Sequence, residues 1–304
     1  MLKKILLLVV CIILIGSVLA PQISNAENDS EALDVILIEG QSNAENWLVG
    51  TTLEQIDSTI GEPSKKVYYS ANTVYAGDFD EKFKDYSVRI AYDSGWKVGG
   101  YIAALGKLWT DTYGRDVLFI NTGIGSSSIE KLSPDGVFWD YVNKMIDDGL
   151  NSDIVKSYPK INKICWLWCQ GEFDTHTVSE YTSYFKSLQS AMNSYGFNDC
   201  YVIQTRMADS NNSISALKAI INTDPNVHLG TDISDFFTKE NGLLYSDSVH
   251  YTQLGRNMIS DKLIQVIPAP HNTPDIGMLK IVIVVMLAAL VVGAIGFIAL
   301  RRAD

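Results

Sequence analysis

Five short apolar runs govern how this chain can fold. They are Asp34–Glu39, Asp116–Asn121, Ile161–Cys169, Cys200–Thr205 and Val227–Leu229, several of them bounded by Gly, Asn or Asp. Their apolar residues are continuous rather than alternating, the pattern of strands covered on both faces. The stretches between them carry helical spacing instead. Val98, Ile102 and Leu105 fit one helical face, and Phe138, Tyr141, Val142 and Met145 fit a second. Tyr181, Tyr184, Phe185 and Leu188 fit a third, and Ile214, Leu217 and Ile221 a fourth. Leu254, Met258, Leu263 and Val266 close the series. Strand alternating with helix predicts a three-layer α/β/α sandwich around a central five-stranded parallel sheet. A chain of 304 residues, 47% hydrophobic, is long enough to bury the core that such a domain needs.

The rhythm breaks once, over residues 44–96. This long connection holds Tyr68, Tyr69, Tyr75, Phe79, Phe83, Tyr86, Tyr92 and Trp96. A connection of that length is functional or carries small elements of its own. Its aromatics are expected either to wall a substrate site or to form a secondary core.

The two ends read as membrane signals. Lys3 and Lys4 precede an apolar run, Ile5 to Leu19, and Ser24-Asn25-Ala26 suits cleavage, so residues 1–26 are expected to be a signal peptide. Ile281 to Leu300 is 20 residues without a charge and ends at Arg301 and Arg302. At about 1.5 Å per residue such a helix spans the roughly 30 Å of a bilayer core. The expected layout is a domain over 27–267, a proline-rich linker over 268–278, a transmembrane helix over 279–300 and a cytoplasmic tail over 301–304, with the domain extracytoplasmic. The net charge of −11 disfavours nucleic acid as a partner, a polyanion itself. Cys165, Cys169 and Cys200 remain after the signal; their spacing suits no metal, and buried free thiols are the expected state.

In parallel sheets ligands bind beyond the carboxyl ends of the strands, and polar motifs fall there. "GQSNA", Gly40 to Ala44, ends the first strand. "NTGIGSSSI", Asn121 to Ile129, follows the second. "WLWCQGEFD", Trp166 to Asp174, closes the third. "YSDSVHYTQLG", Tyr245 to Gly255, precedes a helix that Thr252 can cap. A serine hydroxyl attacks an ester only when a base takes its proton. His250 is the candidate base, and Asp247 the carboxylate that fixes its tautomer. The backbone N–H groups of Ser42 and Gly125 and the amide of Gln170 are candidate oxyanion donors. Gln41, Asn43 and Glu172 are candidate supports, Glu172 through nearby backbone. Each motif alone reads as an ordinary turn or helix entry; their joint order is what signifies. Gly40-x-Ser42-x-Ala44 has the form of an α/β-hydrolase elbow. There, however, the nucleophile follows several strands, and the acid and histidine lie on separate loops.

The blocks resemble the SGNH (GDSL-type) hydrolases, and within them the sialate O-acetylesterase-like carbohydrate esterases. "GQSNA" is similar to their first block and "TGIGSSS" to the second, which supplies Gly125. "WCQGEFD" resembles the Trp-x-Gln-Gly-Glu-x-Asp block, in which Gln170 stands where plain SGNH enzymes have asparagine. "DSVH" resembles the last block. The resemblance covers most of 27–267. It implies a flavodoxin-like fold and a Ser42/Asp247/His250 esterase that removes acetyl groups from sugars, with no cofactor and no metal. Two other readings are a glycan-binding protein on a retired hydrolase scaffold and an esterase of lipids or thioesters. Reaction with a fluorophosphonate, and the chain length of the released acid, separate them.

Overall fold

A computed structural model describes residues 32–44, 61–71, 87–90, 100–205, 211–232 and 237–270, all within one unit, Glu31–Pro270. The first apolar run becomes the middle of the sheet. Strand β1, Ala32–Gly40, is buried at every residue and pairs in parallel with β4, Val117–Asn121, on one side and β5, Lys160–Cys169, on the other. Beyond β5 lie β6, Cys200–Gln204, and β7, Val227–Asp232, also parallel. All five expected strands are therefore present.

The expected count of five is too low. The 44–96 connection contributes β2, Val67–Ala71, parallel to β4, and β3, Ser87–Ile90, antiparallel to β2. The order is β3-β2-β4-β1-β5-β6-β7, six parallel strands with an antiparallel edge. Tyr68 and Tyr69 are buried on opposite faces of this sheet, so these two aromatics are core and not a substrate wall. The Tyr68 hydroxyl meets that of Tyr158 at 3.0 Å. The other six aromatics of the connection lie outside the described residues.

The pleat of β1 sorts its side chains into two cores. Leu33, Val35 and Leu37 face one side with Trp166 and Trp168 of β5. There they meet α3, Trp139–Leu150, α5, Val178–Ser194, and α6, Asn212–Thr223. Ile36 and Ile38 face the other side, under α1, Gly100–Tyr113, and α7, Gln253–Val266. This is the expected sandwich. Two short helices, α2 at Ile129–Leu132 and α4 at Asp153–Lys156, complete the series.

The amino end of β1 is fixed electrostatically. Asp34 is fully buried, yet it accepts from Arg115 Nε and Nη2 at 2.8 Å each, from Trp109 Nε1 at 2.9 Å and from Asn162 Nδ2 at 3.1 Å. A buried ion pair survives only when its remaining lone pairs are satisfied in this way. Glu39, near the other end of β1, is the contrast: it is fully buried, and neither carboxyl oxygen has a hydrogen-bond partner among the described residues. Burial pushes its pKa well above the usual carboxylate range.

Cys165, Cys169 and Cys200 are free and buried, with Cys165 and Cys169 on the same face of β5 as expected. No helix among the described residues is long and apolar enough to cross a membrane. The signal segment 1–26, the linker beyond Pro270, the apolar run 279–300 and the tail 301–304 lie outside the described residues.

Candidate active site

The rim of the sheet gathers four loops that are distant in sequence. β1 ends at Gly40, whose φ is 142°; a Cβ there would sit 2.0 Å from the Cys169 carbonyl oxygen, so no other residue fits. The strands thus stay in contact to their last residue, and Gln41 N–H donates to that same carbonyl at 3.0 Å. A turn follows at once, closed by Ala44 N–H donating to the Gln41 carbonyl at 2.8 Å. Ser42 sits on this turn.

The Tyr245–Tyr251 loop reaches the same point from the far end of the chain. Asp247 Oδ1 accepts from the backbone N–H groups of Val249, at 2.9 Å, and His250, at 3.0 Å. Ser248 between them takes a φ of 63°. Leu244 bridges Tyr251, and Thr252 caps α7 by accepting from Gly255 N–H at 3.2 Å. This leaves Asp247 Oδ2 at 2.8 Å from His250 Nδ1, and His250 Nε2 at 2.9 Å from Ser42 Oγ. The three residues that the sequence singled out for acyl chemistry therefore form one continuous hydrogen-bonded chain.

Partial burial raises the Asp247 pKa, but the hydrogen bonds from His250 and Val249 outweigh it and hold the carboxyl below its usual range. An ionised carboxylate only accepts, so His250 Nδ1 must carry the proton that faces it. In the neutral ring Nε2 is then the acceptor, and Ser42 Oγ–H donates to it.

Asn43 binds the two halves of the site together. Its Nδ2 donates to Glu172 Oε1 at 2.7 Å and to the Val249 carbonyl at 3.1 Å, and its Oδ1 accepts from Tyr251 N–H at 3.0 Å. The residue after the serine thus grips the histidine loop on both sides of His250. Glu172 supports the site through the Asn43 side chain, in addition to the backbone hydrogen bond expected of it, which its own N–H supplies. Burial pushes its pKa up to about 7, against the opposing effect of the Asn43 hydrogen bond. Gln41 Oε1 accepts from Gly171 N–H at 3.1 Å and ties the serine turn to the β5 loop.

Gln170 departs from expectation more sharply. Its Nε2 donates to the Ser127 carbonyl at 3.1 Å and to Asp174 Oδ2 at 2.9 Å, while its Oε1 accepts from Tyr181 Oη at 2.7 Å. Both amide hydrogens are committed, and the side chain is fully buried. As an oxyanion donor it is unavailable in this arrangement; it braces the loop that carries Gly125. That loop passes close to the serine, with Ile124 N–H on the Gly40 carbonyl at 3.0 Å and Asn121 Nδ2 on the Ala44 carbonyl at 2.9 Å.

Sequence reasoning passed over Asp174 and His176 as parts of this scaffold. Asp174 accepts from Ile129 N–H at 2.8 Å and meets His176 Nδ1 at 2.7 Å. Burial raises its pKa, but these bonds and the one from Gln170 outweigh it and lower it. The cue was the spacing of Asp174 from Gln170 within one block. Among the described residues no group of three or more His, Cys, Asp or Glu side chains could hold a metal ion.

No family model and no curated protein matches the chain. Solved structures do. A carbohydrate acetylesterase from Xanthomonas citri matches with a TM-score of 0.50 at 13% identity, over 76% of this chain and 54% of that one. The chain shares its fold. It spans about half the length of that acetylesterase. A protein of Arabidopsis thaliana matches with a TM-score of 0.49 at 15% identity, over 77% of this chain and 97% of that one. A putative SGNH hydrolase from Slackia heliotrinireducens gives 0.35 at 13% identity, over 54% and 91%.

Proposed function

We propose that the chain is a serine esterase that removes O-acetyl groups from carbohydrates, as the sialate O-acetylesterase-like enzymes do. The observation that carries this reading is the Ser42–His250–Asp247 relay, closed at 2.9 Å and 2.8 Å. Ser42 Oγ attacks the ester carbonyl carbon as His250 Nε2 takes the hydroxyl proton. The imidazolium is stabilised by Asp247, whose other oxygen is held by backbone. Negative charge develops on the former carbonyl oxygen. The backbone N–H groups of Ser42 and Gly125 serve as its donors; that of Gly125 makes no hydrogen bond among the described residues. Such donors act strongly because they are oriented before the charge appears. The intermediate collapses, the ester C–O bond breaks, and His250 returns the proton to the departing sugar hydroxyl. Water, deprotonated by the same nitrogen, then attacks the carbonyl carbon of acetyl-Ser42; the bond to Oγ breaks, His250 returns the proton to that oxygen, and acetate leaves.

The substrate class rests on the sequence blocks, and the fold shared with a carbohydrate acetylesterase supports it. The apolar stretches at 1–26 and 279–300 support an extracytoplasmic domain on a single-pass membrane anchor. Hydrolysis of p-nitrophenyl acetate and of acetylated xylan by the wild type and by Ser42→Ala is the test. Loss of activity and of fluorophosphonate labelling in the variant is expected. Retained hydrolysis refutes the assignment.

A further inference from the structure

The turn that follows β5 presents one side chain to solvent between two that are sunk. Glu172 and Asp174 are 4% and 1% exposed, whereas Phe173 is 50% exposed. An isolated exposed phenylalanine needs no explanation by itself; the anchoring of this one supplies it. On one side Glu172 holds Asn43, the residue after Ser42, at 2.7 Å. On the other Asp174 holds Ile129 N–H at 2.8 Å, where the Gly125 loop enters α2. Gly171 and Gln170 tie the same turn to Gln41 and to Ser127. The turn is therefore strung between the loop carrying Ser42 and the loop carrying Gly125, and Phe173 is its exposed side chain. His176 lies just beyond, its Nδ1 on Asp174 at 2.7 Å and its Nε2 at 3.4 Å from Glu130 Oε2.

We infer that Phe173 is a stacking platform for a sugar ring of the substrate. This rests on the acetylesterase reading and extends it to a specificity-determining residue. The apolar C–H face of a pyranose suits a flat aromatic surface, while its equatorial hydroxyls need donors and acceptors at the edge. A platform clamped at both ends loses little freedom on binding, the condition under which contact area becomes affinity. Removing an aromatic contact of this kind costs about tenfold in binding.

The test compares full-length wild type, Phe173→Ala and Phe173→Trp on acetylated xylo-oligosaccharides, p-nitrophenyl acetate and p-nitrophenyl octanoate. Calorimetric binding of unacetylated xylohexaose is measured beside them. The ratio of kcat/KM for the oligosaccharide to that for p-nitrophenyl acetate should fall about tenfold in Phe173→Ala, through KM, and recover in Phe173→Trp. Xylohexaose binding should weaken in step. An unchanged ratio overturns the platform. A fall confined to the octanoate assigns Phe173 to acyl chains and overturns it as well. If the wild type hydrolyses no ester, the esterase reading fails separately. Xylohexaose then decides alone: weaker binding by Phe173→Ala sustains the platform, and equal or absent binding ends it.

Discussion

Replacing Glu172 with glutamine should change how stability depends on pH, by an amount that follows from the geometry. The Glu172 carboxyl is buried, one oxygen receives the Asn43 amide, and the other has no hydrogen-bond partner among the described residues. Burial is what raises its pKa from 4.5 to about 7. The folded protein therefore holds this proton more tightly than the unfolded chain does. The resulting stability is fully present below pH 4.5 and is lost as the pH rises through 7. Each unit of difference is worth about 1.4 kcal/mol. Between pH 5 and pH 8 the wild type should lose about 2–3 kcal/mol that Glu172→Gln keeps, because the amide does not titrate. Glu39 titrates in the same direction but is common to both proteins, so it cancels in the difference. Urea unfolding followed by tryptophan fluorescence, at half-unit steps across this range, measures the difference directly. Parallel curves for the two proteins would refute the burial argument.

Two further substitutions probe the ends of the same scaffold. Arg115→Ala leaves the Asp34 carboxylate buried without its cation and should destabilise the fold by about 3–5 kcal/mol, read as a shifted urea midpoint. Asp247→Asn should leave the fold intact but lower kcat on p-nitrophenyl acetate by roughly 10³- to 10⁴-fold, because an amide no longer fixes the histidine tautomer.

The parts of the molecule legible in sequence were those with a local signature. β1, β4 and β5 announce themselves as apolar runs because both faces of each are covered. Ser42 was legible at the carboxyl end of a buried strand, and Asp247 and His250 through their three-residue spacing ahead of a capped helix; the joint order of these motifs singled them out. β2 and β3 were not, since VYYSA and SVRI are short and mix polar with apolar residues. Their pairing is decided by β4, far along the chain. The commitment of the Gln170 amide was equally hidden. Which of several acceptors an amide chooses depends on Tyr181, Asp174 and Ser127 converging in space, and no spacing rule encodes that. Phe173 reads from sequence as one more aromatic; only the burial of its two neighbours sets it apart.

The grip of Asn43 on the His250 loop spans 206 residues, from Asn43 to Val249. A ribosome adding about 5–20 residues per second needs roughly 10–40 s to traverse such an interval. Throughout that time the serine has emerged but its proton acceptor has not. The nascent chain thus carries the hydroxyl without its imidazole until residues 245–251 have been made, so the Ser42–His250 contact can close only after nearly all of 32–270 has been synthesised.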